Sequence, residues 1–323
     1  MRAWWLLAED GEIAIEMREQ PAPAPGPRQL LLRMRAAGLN RGEFIAGHGL
    51  SKTGTSKPAG IEGAGEVVAA GAEVAAFKAG DRVFGRLVGA FAEFALMDVD
   101  QAIAMPEALS WEQAACVPVT YMTAHEMLVR QGRLMPGQWL LVTGAASGIG
   151  VASLQIAKAI GASVAGTSGN RAKLAQLEAL GLDLPLCTRG PDFCQALMDV
   201  TGGAGVNLVV NTVGGSVFAE CIRSMAFEGR LATVGYVDGV LHAELDIAAL
   251  HSRRLVLFGV SNKMVDAAFR AAATRDFAAD IVPLLAAGKI KPVVDQAFAL
   301  PELAAAKAYM ESNQHLGKLV VTI

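Results

Sequence analysis

Two textures of hydrophobic and polar positions divide the chain. Over residues 1–105 the apolar runs are short and separated by turn residues. Residues 30–35 alternate weakly, 65–70 and 91–97 read as strands, and Ala79-Gly-Asp-Arg-Val-Phe84 sets a turn ahead of another. Short strands at this spacing predict a barrel-like β domain. Pro21-Ala-Pro-Ala-Pro-Gly-Pro27 predicts an extended connector, because proline continues neither a helix nor a central strand. From Ser110 the pattern lengthens, and Ser110-Trp-Glu-Gln113 has the form of a capped helix start. Strands at 140–142, 163–166, 208–211, 230–234 and 255–260 then alternate with helices at 149–160, 171–180 and 217–225. Such alternation predicts a parallel sheet with right-handed crossovers. Helices at 265–273, 276–287 and 303–311 and a strand at 318–323 follow. The expected organisation is one domain built from residues 1–118 and 262–323, with a second, 119–261, inserted into it.

The segment Trp139-Leu-Leu-Val-Thr-Gly-Ala-Ala-Ser-Gly-Ile-Gly150 joins a buried strand to a glycine-rich turn and a helix start. Gly144, Gly148 and Gly150 allow a tight turn and leave no side chain between helix and ligand. Open amides at a helix N-terminus, aided by the helix dipole, favour the pyrophosphate of a dinucleotide. Ser147, Gly148, Ile149 and Gly150 are the expected contacts. Ile149, Ala152, Ile156, Ala159 and Ile160 follow helical spacing and are expected to face the sheet.

Composition narrows the class. Hydrophobic residues make up 53% of the chain, which suits a globular α/β enzyme and excludes disorder. Formal charge is −3, with no block of like charge, so there is no electrostatic footprint for nucleic acid. Cys116, Cys187, Cys194 and Cys221 form no C-x-x-C pair, which points to a reducing, cytoplasmic setting. Residues 134–157 carry no charge and are long enough to cross a bilayer. They also contain Pro136 and the glycine loop, so a soluble strand–turn–helix is expected and no membrane partner.

A dinucleotide site selective for NAD carries an acidic residue about twenty positions beyond the glycines. Here the second strand ends Val164-Ala-Gly-Thr-Ser-Gly-Asn-Arg171, with no carboxylate at its tip. Ser168, Asn170, Arg171 and Lys173 instead offer a hydroxyl, an amide and two cations. That set suits the 2′-phosphate of NADPH, although Arg171 and Lys173 also fit an ordinary solvated helix face.

The loop resembles two families. Short-chain dehydrogenases pair such a loop with Tyr-x-x-x-Lys. The residues four positions after Tyr121, Tyr236 and Tyr309 are His125, Val240 and Asn313, so that pair is absent. The whole chain resembles the medium-chain dehydrogenase/reductase superfamily, in its quinone oxidoreductase branch. The likeness is carried by Gly38-Leu-Asn-Arg-Gly-Glu43, Gly60-Ile-Glu-Gly-Ala-Gly-Glu66 and Phe77-Lys-Ala-Gly-Asp-Arg-Val83. Gly288-Lys-Ile-Lys-Pro292 and His315-Leu-Gly-Lys-Leu319 extend it to the end of the chain. It implies an α/β protein, a Rossmann doubly wound parallel sheet plus a GroES-like β-barrel catalytic domain.

Zinc enzymes of the superfamily place cysteine where Asn40 stands and histidine where Ile61 stands. Glu62 next to Ile61 makes no metal site, and no metal is expected. Without a Lewis acid, hydride transfer suits a small, already electrophilic acceptor, a quinone or an α,β-unsaturated carbonyl. The resemblance places Asn40 and Thr123 beside the nicotinamide as the catalytic pair. Asn40 equally suits a left-handed turn, and Thr123 a helix hydroxyl bonded to its own backbone. Positions that often hold tyrosine or arginine in the branch are Ile45, Gly47 and Ser51 here, and His48 in the same stretch titrates near neutrality. A tyrosine common at the far side of the phosphate site is aligned with Thr188. Gly235, Tyr236 and Ser261 follow candidate strands and are expected cofactor contacts. The apolar run 255–260 predicts a homodimer through paired edge strands. The alternative reading is an NADPH-binding structural or sensing protein with little catalysis.

Overall fold

The computed structural model describes residues 1–9, 11–45 and 52–323. Gly47, His48 and Ser51 lie outside the described residues. The chain forms two compact units, Met1–Met122 with Val265–Ile323, and Thr123–Met264.

The first unit begins with an antiparallel hairpin, β1 (Arg2–Glu9) and β2 (Glu12–Glu19), which the sequence pattern had not indicated. The proline-rich 21–27 stretch carries no strand or helix, as expected. Then come β3 (Gln29–Gly38), β4 (Ser56–Pro58), β5 (Glu62–Ala70), β6 (Arg82–Arg86), β7 (Phe94–Asp98) and β8 (Ala102–Ala104). Alternate residues of β3, Leu30, Leu32 and Met34, are fully buried, and pack with Val83, Phe91 and Met97. This is the inward half of a barrel wall with period two. Ser110 caps the helix Trp111–Ala115 in a capping box with Gln113. The Arg82 guanidinium stacks 4.5 Å over the Trp111 ring.

The second unit is a six-stranded parallel sheet. Its strands are β9 (Trp139–Thr143), β10 (Ser163–Thr167), β11 (Leu184–Leu186), β12 (Val206–Asn211), β13 (Met225–Thr233) and β14 (Val256–Gly259). Their spatial order is β11-β10-β9-β12-β13-β14. The order reverses between β9 and β12, which makes the C-terminal ends of those strands the crevice where such sheets bind ligands. Leu140, Leu141 and Val142 are inaccessible to solvent, as a strand covered on both faces must be. The helix Gly148–Ile160 differs from expectation. Residues 151–157 are buried on every side, whereas Ile149, Ala159 and Ile160 are only half-buried. A largely apolar helix buried on every side, with Ser153 and Gln155 enclosed in it, sits within a core rather than on its surface. The uncharged 134–157 stretch is thus β9 and this helix, and no described helix is long and apolar enough to cross a membrane.

The chain then returns to the first unit. One helix, Ala267–Asp280, replaces the expected pair broken near 274–275. Thr274 Oγ1 donates to Arg270 O one turn back, so its hydroxyl is satisfied inside the continuous helix, and Ile281 then caps the short helix Val282–Ala286 with Pro283 in its first turn. Strand β15 (Val294–Ala299) and strand β16 (Lys318–Thr322) complete a seven-stranded sheet, β16 pairing antiparallel with β3.

Candidate functional site

Asn40 follows the end of β3 and precedes the 3-10 turn Arg41–Phe44 with extended backbone, φ −131°. A left-handed turn is therefore not its role. Its side chain sits in a cluster of charged groups withdrawn from solvent. Nδ2 donates to Glu62 Oε1 at 2.9 Å and to Glu43 Oε1 at 3.2 Å. Oδ1 accepts from Lys318 Nζ at 2.8 Å. Lys318 also donates to Glu62 Oε1 at 2.6 Å and to Leu39 O. Glu62 is fully buried on β5, and its second oxygen accepts from Val119 N at 2.7 Å. Glu43 Oε2 accepts from Gly60 N at 3.0 Å. Two carboxyls thus share the Asn40 amide, and Glu62 also takes the Lys318 ammonium. Burial, and then the neighbouring Glu62 charge, push the Glu43 carboxyl up to about 7, against the opposing Asn40 bond, Lys318 charge and Gly60 amide.

Donor accounting limits what Asn40 can do. Both Nδ2 hydrogens face carboxylates and one Oδ1 lone pair faces Lys318, so one Oδ1 lone pair is left to accept a bond. Lys318, which completes the cluster from β16, was not singled out by sequence reasoning.

In the second unit the glycine loop leaves β9. Gly144 has φ +67°, and a Cβ there would lie 2.6 Å from Thr212 Oγ1. Gly144 N donates to Thr167 Oγ1 at 3.1 Å, tying the loop to β10. Ser147 caps the helix Gly148–Ile160, accepting from Gly150 N at 3.1 Å. A Cβ on Gly150 would stand 2.4 Å from Ala145 O, so only glycine permits this packing. The amides of Gly148 and Ile149 have no acceptor within the described residues. They lie at the positive end of a helix.

At the end of β10 some of the expected residues serve the fold. Ser168 Oγ accepts from Asn170 N at 3.2 Å, and Asn170 caps the helix Arg171–Ala179 by accepting from Ala172 N and Lys173 N. Arg171 is exposed, and its guanidinium has no partner among the described residues. A further cation joins it. Arg189, exposed and likewise unpaired, lies across Gly169, where an added Cβ would meet its Nε at 2.1 Å. Sequence reasoning stopped one residue short, at Thr188. The signal available was a cation just after β11, the strand beside β10.

Thr123 is buried in the helix Thr120–His125. Its hydroxyl makes no bond to the helix backbone, unlike Thr120, whose Oγ1 donates to Cys116 O at 2.7 Å. Gly235 packs against Thr212 O, Tyr236 is half-exposed, and exposed Ser261 accepts from Lys263 N at 3.2 Å.

Known proteins share these parts. A family model for the alcohol dehydrogenase GroES-like domain matches residues 26–107, and one described as zinc-binding dehydrogenase matches 180–321. The synaptic vesicle membrane protein VAT-1 homolog of Mus musculus is 30% identical over 340 residues, covering 99% of this chain and 83% of its own. A phenolphthiocerol/phthiocerol polyketide synthase of Mycobacterium tuberculosis is 31% identical over 312 residues, 96% of this chain. The match spans only 14% of that synthase polypeptide. The quinone oxidoreductase of Pseudomonas syringae superposes with a TM-score of 0.87 at 26% identity, over the full length of both chains. A mycobacterial protein solved in complex with NADPH does so with a TM-score of 0.88 at 25% identity.

The zinc in the second family description does not fit this donor set. Asn40 and Ile61 offer an amide and a hydrocarbon, and the Lys318 ammonium already occupies the space between Asn40 and Glu62. Among the described residues no group of three or more His, Cys, Asp or Glu is placed to hold a metal ion. By its two-unit architecture, its motifs and these relatives, the chain belongs to the medium-chain dehydrogenase/reductase superfamily, in its quinone oxidoreductase-like branch.

Proposed function

We propose that the protein is an NADPH-dependent, zinc-independent reductase of quinones or α,β-unsaturated carbonyls. The observation that carries this reading is the basic end of β10. Arg171 and Arg189 have no partner among the described residues, Lys173 follows on the same helix as Arg171, and no carboxylate occupies the tip where NAD selectivity needs one. Two guanidinium forks match the geometry and charge of a 2′-phosphate. The mycobacterial neighbour solved with NADPH supports the same choice.

When bound, the cofactor supplies the hydride. The Gly148 and Ile149 amides hold its pyrophosphate, and Gly235, Tyr236 and Ser261 line its path. Following the family pattern, the Thr123 hydroxyl would help hold the nicotinamide, and the remaining Oδ1 lone pair of Asn40 would accept from the cofactor. Asn40 steadies the cofactor rather than the substrate oxygen, because its own hydrogens are committed to Glu43 and Glu62. With an ammonium in place of a Lewis acid, the acceptor must already be electrophilic. Four free thiols suit a reducing, cytoplasmic setting.

Stopped-flow loss of NADPH absorbance against a panel of quinones and enones tests this reading. Turnover with NADPH preferred over NADH is expected. Nanomolar NADPH binding with no turnover on any acceptor would instead favour a sensing or structural protein. We further propose a homodimer through β14, which ends the sheet and whose outer edge has no strand partner among the described residues. Light scattering giving the mass of a single chain would refute it.

A further inference from the structure

We propose that the second unit carries a separate anion site at the N-terminal ends of its strands, built for a phosphate-bearing small molecule. A cavity of about 460 Å³ opens there, lined by Arg133, Arg230, Arg254, Gln138, Asn207 and Glu228 among others. Gln138 precedes β9, Asn207 lies at the start of β12, Arg230 is on β13, and Arg254 precedes β14. The glycine loop leaves the opposite end of the same sheet. The five-residue strand β9 separates the two sites by ~17 Å at ordinary strand rise.

Five of the lining side chains are donors, set beside the apolar Phe227 and Val256. Gln138 Oε1 accepts from Met135 N at 2.9 Å and Asn207 Oδ1 from Trp139 N at 3.0 Å, which leaves both NH2 ends free to donate. Arg133 has no partner for its guanidinium within the described residues. Arg230 reaches only Gln131 O at 3.4 Å, and Arg254 meets Glu228 at 3.4 Å with both side chains exposed. Glu228 is the one acidic side chain, set against three guanidinium forks. A concave wall of forks and amide donors is complementary to phosphate oxygens, which take several directed bonds at once.

The backbone adds an independent observation. Among the described residues four non-glycines have left-handed backbone: Arg133 (φ 51°), Glu228 (φ 55°), Arg254 (φ 55°) and Asn313. Three of the four line this cavity. Arg254 follows the C-cap Arg253 of the helix Ile247–Ser252, a position where glycine is the unstrained choice. Long charged side chains held in a conformation that disfavours them, and gathered around one concavity, mark a site whose side chains are needed where they stand. None of this depends on the cofactor reading.

The test is calorimetric titration of pyrophosphate into protein presaturated with NADPH, in about 0.15 M salt so that diffuse attraction is screened. One saturable site per chain is expected. R133G and R254G each weaken it tenfold or more, while R189A, at the other end of the sheet, leaves it unchanged. Because glycine tolerates these backbone angles, R133G and R254G keep or raise the melting temperature, so the loss cannot be ascribed to unfolding. Absence of saturable binding overturns the proposal, as does binding that R133G and R254G leave intact. Sensitivity to R189A instead would assign the pyrophosphate to the 2′-phosphate end of the cofactor site and equally overturn it.

Discussion

The buried carboxyl of Glu43 makes the stability of the first unit depend on pH in a direction opposite to that of most paired carboxylates. Its ordinary value of 4.5 is raised to about 7 in the folded chain, by burial first and then by Glu62. The folded state therefore keeps a proton that the unfolded state releases above pH 4.5. The stabilisation is complete below that value and is lost as pH rises through about 7. A shift of this size corresponds to ~3 kcal/mol, most of it lost between pH 5 and pH 7. The groups facing Glu43 are Asn40, Glu62, Lys318 and the Gly60 amide. E43Q removes the proton while keeping the shape, so the stability gap between wild type and E43Q should shift by that amount over the range. Urea unfolding followed by tryptophan fluorescence reads it, since Trp4, Trp5 and Trp111 all lie in the first unit. With a urea slope of ~3 kcal/mol/M the midpoint moves by ~1 M. Parallel pH profiles for wild type and E43Q would refute the reasoning.

Lys318 should be costly to remove. K318M strands the buried Glu62 charge, with an expected loss of ~3–5 kcal/mol, whereas K318M/E62Q is milder than K318M alone; equal losses in urea unfolding would show that the ion pair is not the reason. R171A and R189A should each raise the KM for NADPH by about tenfold or more and leave that for NADH nearly unchanged. Equal effects on the two cofactors in steady-state assays would remove both residues from the 2′-phosphate site. G150A forces a Cβ against Ala145 O and should lower the stability of the second unit by ~1–3 kcal/mol, read as a fall in the circular-dichroism melting temperature.

Local pattern disclosed the glycine loop, the parallel sheet and the Ser110 capping box, because each is written in residues close together in sequence. The hairpin of β1 and β2 escaped notice because its strands alternate poorly; β2 is mostly half-buried or exposed. β11 is three residues long, too short for any period to register, and with it went Arg189. The motifs around Asn40, Glu62 and Lys318 were each visible as resemblances. Their meeting was not, because 278 residues separate Asn40 from Lys318 and only the pairing of β16 with β3 brings them together. The commitment of the Asn40 hydrogens was hidden in part for the same reason: Glu43 lies in its own motif, but Glu62 comes from 22 residues away.

The late return of the chain to its first unit has a consequence for biosynthesis. All six strands of the second unit lie within 123–264, so its sheet can close as soon as that stretch has been made. The first unit cannot. Glu62 waits for an ammonium 256 residues downstream, which at ordinary translation rates arrives roughly 10–50 s later. Until then β3 lacks its neighbour β16, and a carboxylate destined for the interior lacks the Lys318 ammonium. The lobe that emerges from the ribosome first is therefore the last to mature, and chains stopped short of Lys318 expose that unfinished lobe to chaperones and proteases.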